Sequence, residues 1–210
     1  MSSYARAERA ALADLLAELG PDAPTLCEGW TTRDLAAHLV LRERRPDAAG
    51  GIAIKRLADR TARVQAEIAA GDWPRLIDKV RHRPAWSLIS NPLLDEATNR
   101  FELFIHHEDV RRAQPDWRPR TMPSEFSELA WRRVRALARL TLRKVPATVT
   151  VAAEGFGSVT AGKGGPATVR LVGAPEELLL FVQGRQEHAL VDLSGPESVV
   201  SRLQKARLGL

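Results

Sequence analysis

Two of the five histidines in this chain stand where an imidazole could do chemistry. Placed on a helical wheel at about 100° per residue, the stretch from Phe101 to Ala113 puts Glu102, His106, Asp109 and Ala113 on one narrow strip. Phe101 and Ile105 flank that strip on one side, Leu103 and Val110 on the other, while His107, Glu108 and Arg111 point away. A carboxylate and a histidine four residues apart on an apolar arc are costly to bury unpaired. They are also spaced to grip one ion. A second histidine, His38, shares an apolar strip with Leu35, Leu39 and Arg42. Two imidazoles and one carboxylate form a recurrent site for zinc or another divalent metal, three protein ligands leaving positions open for water or substrate. Asp109, one turn past His106, is placed to orient an imidazole from behind. For either histidine alone, a hydrogen-bonded core residue is the more common meaning. Spacing alone does not make the two helices neighbours.

The other candidates carry less. His107 and His188 show no inward partner in the sequence, and His82 sits among Arg81, Arg83 and Pro84 in what reads as surface. Cys27 is either a nucleophilic or redox thiol or, as is commoner for a lone cysteine near a tryptophan, packing. Being the one cysteine, it excludes an internal disulfide and a multi-cysteine zinc site. Glu102, Glu108 and Asp109 do not make a di-metal bundle, which requires Glu-x-x-His from two helices.

Positioning these side chains requires helices. Leu12, Leu15, Leu16 and Leu19 predict a helix over 3–19 that Gly20-Pro21 stops. An ordered loop follows to Trp30. Thr31, with Asp34 three residues on, reads as an N-cap, and Trp30 with Leu35 as a hydrophobic staple. Further apolar spacing predicts a helix from Ile52 to Gly71, a shorter one from Trp73 to Val80, a linker through Pro84, Trp86 and Asn91-Pro92, and the long helix 92–113. A proline-rich loop leads to Ser124, which caps a last long helix to Lys144. After Pro146 the period changes to alternation. Strands are expected at 148–152, 167–173 and 189–193, with glycine turns across 155–165 and short helices at 176–182 and 197–208. The fold class is α+β: a helical bundle over 1–144 and a small α+β unit over 145–210.

A balance of 31 basic against 26 acidic residues gives a net charge of +5, so nucleic acid had to be weighed. Arg132, Arg135, Arg139 and Arg143 do form a stripe, but Ala130, Val134 and Leu137 occupy the opposite side of the same helix, as for an ordinary solvated face. No aromatic residues interleave to stack bases. No apolar run reaches the ~18 residues of a membrane span, and the first residues do not read as a signal sequence. A cytoplasmic protein without nucleic-acid or membrane partners is expected.

The stretch Gly29-Trp30-Thr31-Thr32-Arg33-Asp34-Leu35-Ala36-Ala37-His38-Leu39 resembles the start of the second helix in DinB-like bundles, specifically the actinobacterial branch with mycothiol-dependent maleylpyruvate isomerase. The motif Glu102-x-x-x-His106-x-x-Asp109-Val110-Arg111 is similar to the second half of that family's metal site. Leu178 to Arg185, a helix ending in Gly-Arg, resembles the family's C-terminal unit related to sterol carrier proteins. The resemblance implies an up-down DinB-like bundle in which His38, Glu102 and His106 hold zinc or another divalent metal, with mycothiol as cosubstrate. The expected activity is a thiol-using transferase or isomerase acting on a small electrophile, in a monomer or homodimer. Arg42, Arg111 and Arg185 are candidates to hold a substrate or thiol carboxylate. The other class of function is a non-catalytic, metal-stabilised ligand-binding or regulatory protein, whose metal site would be closed.

Overall fold

The computed structural model describes residues 4–52, 54–82 and 92–209, and for 92–98 the backbone alone. The protein is α+β, a helical N-terminal region followed by a small sheet with helices. It divides into two compact units, Met1–Arg118 and Pro119–Leu210.

In the first unit α1 (Tyr4–Leu19) lies against α5 (Trp73–Arg81) and α6 (Pro92–Arg111), while α2 (Thr32–Arg44) lies against α4 (Ala58–Ala69) and α5. A one-turn α3 (Pro46–Ala49) follows α2. Leu12 and Leu16 of α1 meet Leu35 and Leu39 of α2, Leu76 of α5 and Leu103 and Val110 of α6 in one core. The start of α2 is firmly punctuated. The Asp34 carboxylate accepts from the Thr31 N–H at 3.0 Å and the Thr31 hydroxyl at 2.9 Å, and Trp30 packs on the core that holds Leu35. Buried Arg9 ties three helices together, donating twice to Glu43, at 2.9 and 2.5 Å, and once to the Val80 carbonyl at 3.2 Å. Removing one partner of such a pair strands the other charge, at a cost of about 3–5 kcal/mol.

Two expectations change here, and a third is not reached by the described residues. The helix expected from Ile52 starts at Ala58, and Gly50–Ile52 and Lys55–Leu57 are single 3₁₀ turns. The reason is a close approach: a Cβ on Gly51 would overlap the Thr61 hydroxyl and the Leu57 carbonyl. Thr61 donates to the Ala48 carbonyl and accepts from the Gly51 N–H, so the chain folds back onto α4 before entering it. Ile52, Ile54 and Leu57 are left exposed. The second change is in α6, whose residues Leu103 to Val110 are all buried. His107, expected to face away, meets Glu8 of α1 at 2.9 Å, and Glu108, also expected to face away, is buried and pairs with Arg112 at 2.6 Å. Third, the linker expected through Pro84, Trp86 and Asn91 lies outside the described residues.

The second unit holds α7 (Ser124–Thr141), β1 (Thr148–Ala153), β2 (Gly157–Ala161), β3 (Thr168–Gly173), α8 (Pro175–Val182), β4 (Val191–Ser194) and α9 (Glu197–Gln204). The sheet order is β2-β1-β3-β4, with β1 parallel to β3 and the outer pairs antiparallel. Partners Val149↔Val169 and Val151↔Leu171 set one buried apolar face, as a period of two requires. The segment read as glycine turns contains strand β2, because Val159 and Ala161 alternate inward between Gly155 and Gly162. Pro123, not Ser124, occupies the cap position of α7. The division also falls after Arg118, upstream of the expected 144. Helix α7 packs its Phe126, Trp131 and Val134 face within this unit, against α8 and β2, and the Ser127 hydroxyl donates to Glu176 of α8.

Candidate metal centre

Helix α2 and helix α6 each bring one histidine to a common point. Glu102 Oε1 stands 3.5 Å from His38 Nε2 and 3.2 Å from His106 Nε2. One ligand atom from each of the three residues lies within 4.8 Å of the others. The imidazole rings meet edge to face, centroids 5.2 Å apart, and Trp30 tilts against His38 at 5.1 Å. Both histidines are buried, with Glu102 half-buried.

Behind His106 stands a second carboxylate. Nδ1 of His106 is 2.9 Å from Asp109 Oδ2, fully buried, and the Cys27 thiol donates to the same oxygen at 3.3 Å. Cys27 Sγ is also 3.9 Å from that Nδ1. Cys27, His106 and Asp109 thus form a second ligating group, but it uses the nitrogen that the Asp109 hydrogen bond already occupies. The Nε2 side is the one where a lone pair is available to the three-residue cluster once Asp109 holds the Nδ1 proton.

The charges follow from these contacts. Burial pushes the His38 pKa below the ordinary histidine value, against the opposing hydrogen bond to Glu102. Burial by itself would raise the Glu102 carboxyl. The bonds from His106 and His38, with the charges of His106 and Arg42, outweigh it and hold Glu102 ionised, well below the usual carboxylate range. Burial opposes a charge on His106 too, but Asp109, Cys27 and Glu102 together hold its pKa well above the ordinary value. Two carboxyl groups, Asp109 at Nδ1 and Glu102 at Nε2, thus flank the His106 ring.

Does the donor set fit a divalent ion? Bonds of about 2.0–2.2 Å to a tetrahedral ion put neighbouring ligand atoms roughly 3.3–3.5 Å apart. The two edges that meet at Glu102 Oε1, 3.5 and 3.2 Å, match that spacing. Two imidazole nitrogens and one carboxylate oxygen are borderline donors suited to zinc and its neighbours. The residues fit.

The remaining expected site residues are placed differently. Arg42 reaches the cluster, 3.4 Å from Glu102 Oε1 and 3.4 Å from Asn99 Oδ1, so its guanidinium faces protein groups. Arg111 binds Glu108 at 2.8 Å and the Arg118 carbonyl at 2.9 Å, on the far side of α6. Arg185 belongs to the second unit, where it donates to the Gln183 carbonyl at 2.6 Å. Sequence spacing missed Cys27 and Trp30 as neighbours of the cluster. They lie in the loop before α2, where no periodicity reports direction, and the ring held between Thr31 and Gly29 was the only available hint.

A cleft of about 430 Å³ opens beside His38, lined by Trp30, Asp34, Ile52, Ala58 and Ala62 among others.

A helical domain that gathers His–Glu–His from its second and sixth helices is the class of protein these observations define. The chain belongs to the mycothiol maleylpyruvate isomerase N-terminal domain family, whose model matches residues 5–139. No curated protein and no solved structure matches the chain. Among the described residues no helix is long and apolar enough to cross a membrane.

Proposed function

We propose that His38, Glu102 and His106 hold a divalent metal, zinc by preference, and that the site serves a transferase or isomerase that uses a low-molecular-weight thiol on a small electrophile. Membership of a family named for mycothiol makes mycothiol the thiol of choice. The observation that carries the reading is the approach of both imidazole nitrogens to one Glu102 oxygen at ligand-edge spacing. A bound ion would supply the positive charge that lets a thiol ionise at neutral pH.

The protein's own part is positioning. Asp109 fixes the tautomer and angle of the His106 ring through Nδ1. Arg42 and the two imidazoles hold the Glu102 carboxylate in place and ionised. Trp30 shields His38 from water on one side, and the cleft beside it gives a substrate access. In an isomerase the sulfur adds to an electron-poor carbon and departs again, so the thiol is returned. In a transferase the C–S bond persists, and the proton lost by the thiol ends on the product or its leaving group.

The test is metal analysis of the purified chain beside His38→Ala, followed by thiol-dependent turnover with mycothiol. The expected result is about one divalent ion per chain, lost in the variant, and electrophile consumption that requires both thiol and metal. A wild-type chain that takes up no ion, or whose uptake is unchanged by His38→Ala, overturns the reading.

A further inference from the structure

The cleft outside His38 has a chemical character of its own. Among the described residues no lysine or arginine lines it, and its acidic side chain is Asp34. Several of its polar atoms are engaged by the protein: Asp34 Oδ2 accepts twice from Thr31, the Thr61 hydroxyl is shared between Ala48 and Gly51, and the Gln65 amide N–H donates to the Asp34 carbonyl at 3.4 Å. Much of the rest of the lining is apolar: the indole of Trp30, the side chain of Ile52, and the methyl groups of Ala58, Ala62 and Ala66 along one face of α4. Small side chains at 58, 62 and 66, spaced by four, leave a flat floor on that helix.

We propose that this cleft seats the body of the electrophile and that it selects a neutral, flat, largely apolar molecule, an aromatic ring or a conjugated enone, over a small dicarboxylate. The proposal rests on the metal reading above and adds the substrate class to it. An anion placed there would lose its hydration with no cation among the described lining residues to replace it and with Asp34 nearby. A planar ring would instead bury apolar area against Trp30 and the alanine face, the usual source of affinity in small-molecule sites. Ile52, exposed on its 3₁₀ turn, closes the outer edge. The Gly51–Thr61 contact that holds that turn against α4 is therefore what gives the cleft its far wall.

The test uses two ligands of the same ring, 2-naphthamide and 2-naphthoate, titrated calorimetrically into the full-length metal-free chain, where a carboxylate has no ion to bind. The amide is expected to bind at least about tenfold tighter than the carboxylate. Ala62→Leu, a substitution on an exposed helical position that keeps helix propensity, is expected to weaken amide binding by about tenfold or more through filling the floor. Its zinc uptake should match the unsubstituted chain. Equal affinity for the two ligands, no measurable binding of either, tighter binding of the carboxylate, or an amide affinity unmoved by Ala62→Leu overturns the proposal. Zinc uptake is measured in parallel. Its failure would overturn the metal reading, while the two naphthyl affinities still judge the cleft.

Discussion

His106 and His107 are adjacent on α6, both buried, each with Nδ1 2.9 Å from a carboxylate oxygen, Asp109 for one and Glu8 for the other. Their surroundings differ at the second nitrogen. Nε2 of His106 faces Glu102 and, across it, His38 on another helix. Among the described residues His107 joins no group of three ligating side chains. Burial plus a carboxylate is thus a common way to satisfy a core histidine. A site needs donors from a second element converging on the nitrogen left over.

The comparison can be broken most directly by exchanging the two. His106→Ala is expected to take bound metal from about one ion per chain to none measurable. His107→Ala should leave metal content intact and instead destabilise the fold by about 1–3 kcal/mol, because Glu8 loses a buried partner. Metal analysis and urea denaturation of both variants decide it, and metal loss in His107→Ala would erase the distinction. Asp109→Asn sharpens it further, with metal affinity expected to fall about 10–100-fold while the three ligands remain, as read by competition with a chromophoric chelator.

Acidity gives the next test. Against burial, the hydrogen bonds to Asp109, Cys27 and Glu102 raise the His106 pKa above the ordinary value, so an ion binding at Nε2 competes with a proton there. Affinity should therefore weaken as pH falls, and titrations in buffers of different ionisation heat should register protons released. Affinity independent of pH would mean the ion sits elsewhere. The smallest effect is expected from Cys27→Ala, whose thiol is a weak donor to Asp109; metal affinity should move by no more than about a few-fold.

The same comparison shows how far the chain could be read before its structure. Period 3.6 put His38, Glu102 and His106 on inward strips because their immediate neighbours are apolar, and the Thr31–Asp34 signal located the start of α2 to the residue. The wheel erred on His107 and Glu108 because it assumes one wet face. A helix covered on several sides has none, and only tertiary packing reveals that α1 takes the second face. The division after Arg118 falls upstream of the change of period for a related reason. Pro146 marks a change of period, but α7 belongs where its apolar face is buried, and that face finds α8 and β2. Strand β2 escaped notice because glycines at both ends hid a five-residue alternation.

One main-chain contact joins the loop before α2 to the helix that carries His106. The carbonyl of Asp109 accepts the N–H of Leu26 at 2.9 Å, so the residue whose carboxylate steers the His106 ring also pins the segment that carries Cys27 and Trp30. A displacement of that segment, by an arriving molecule or a substitution within it, pulls on the same peptide that sets the angle of an imidazole. Access at the surface and alignment in the interior are thereby geared to one another through a single residue.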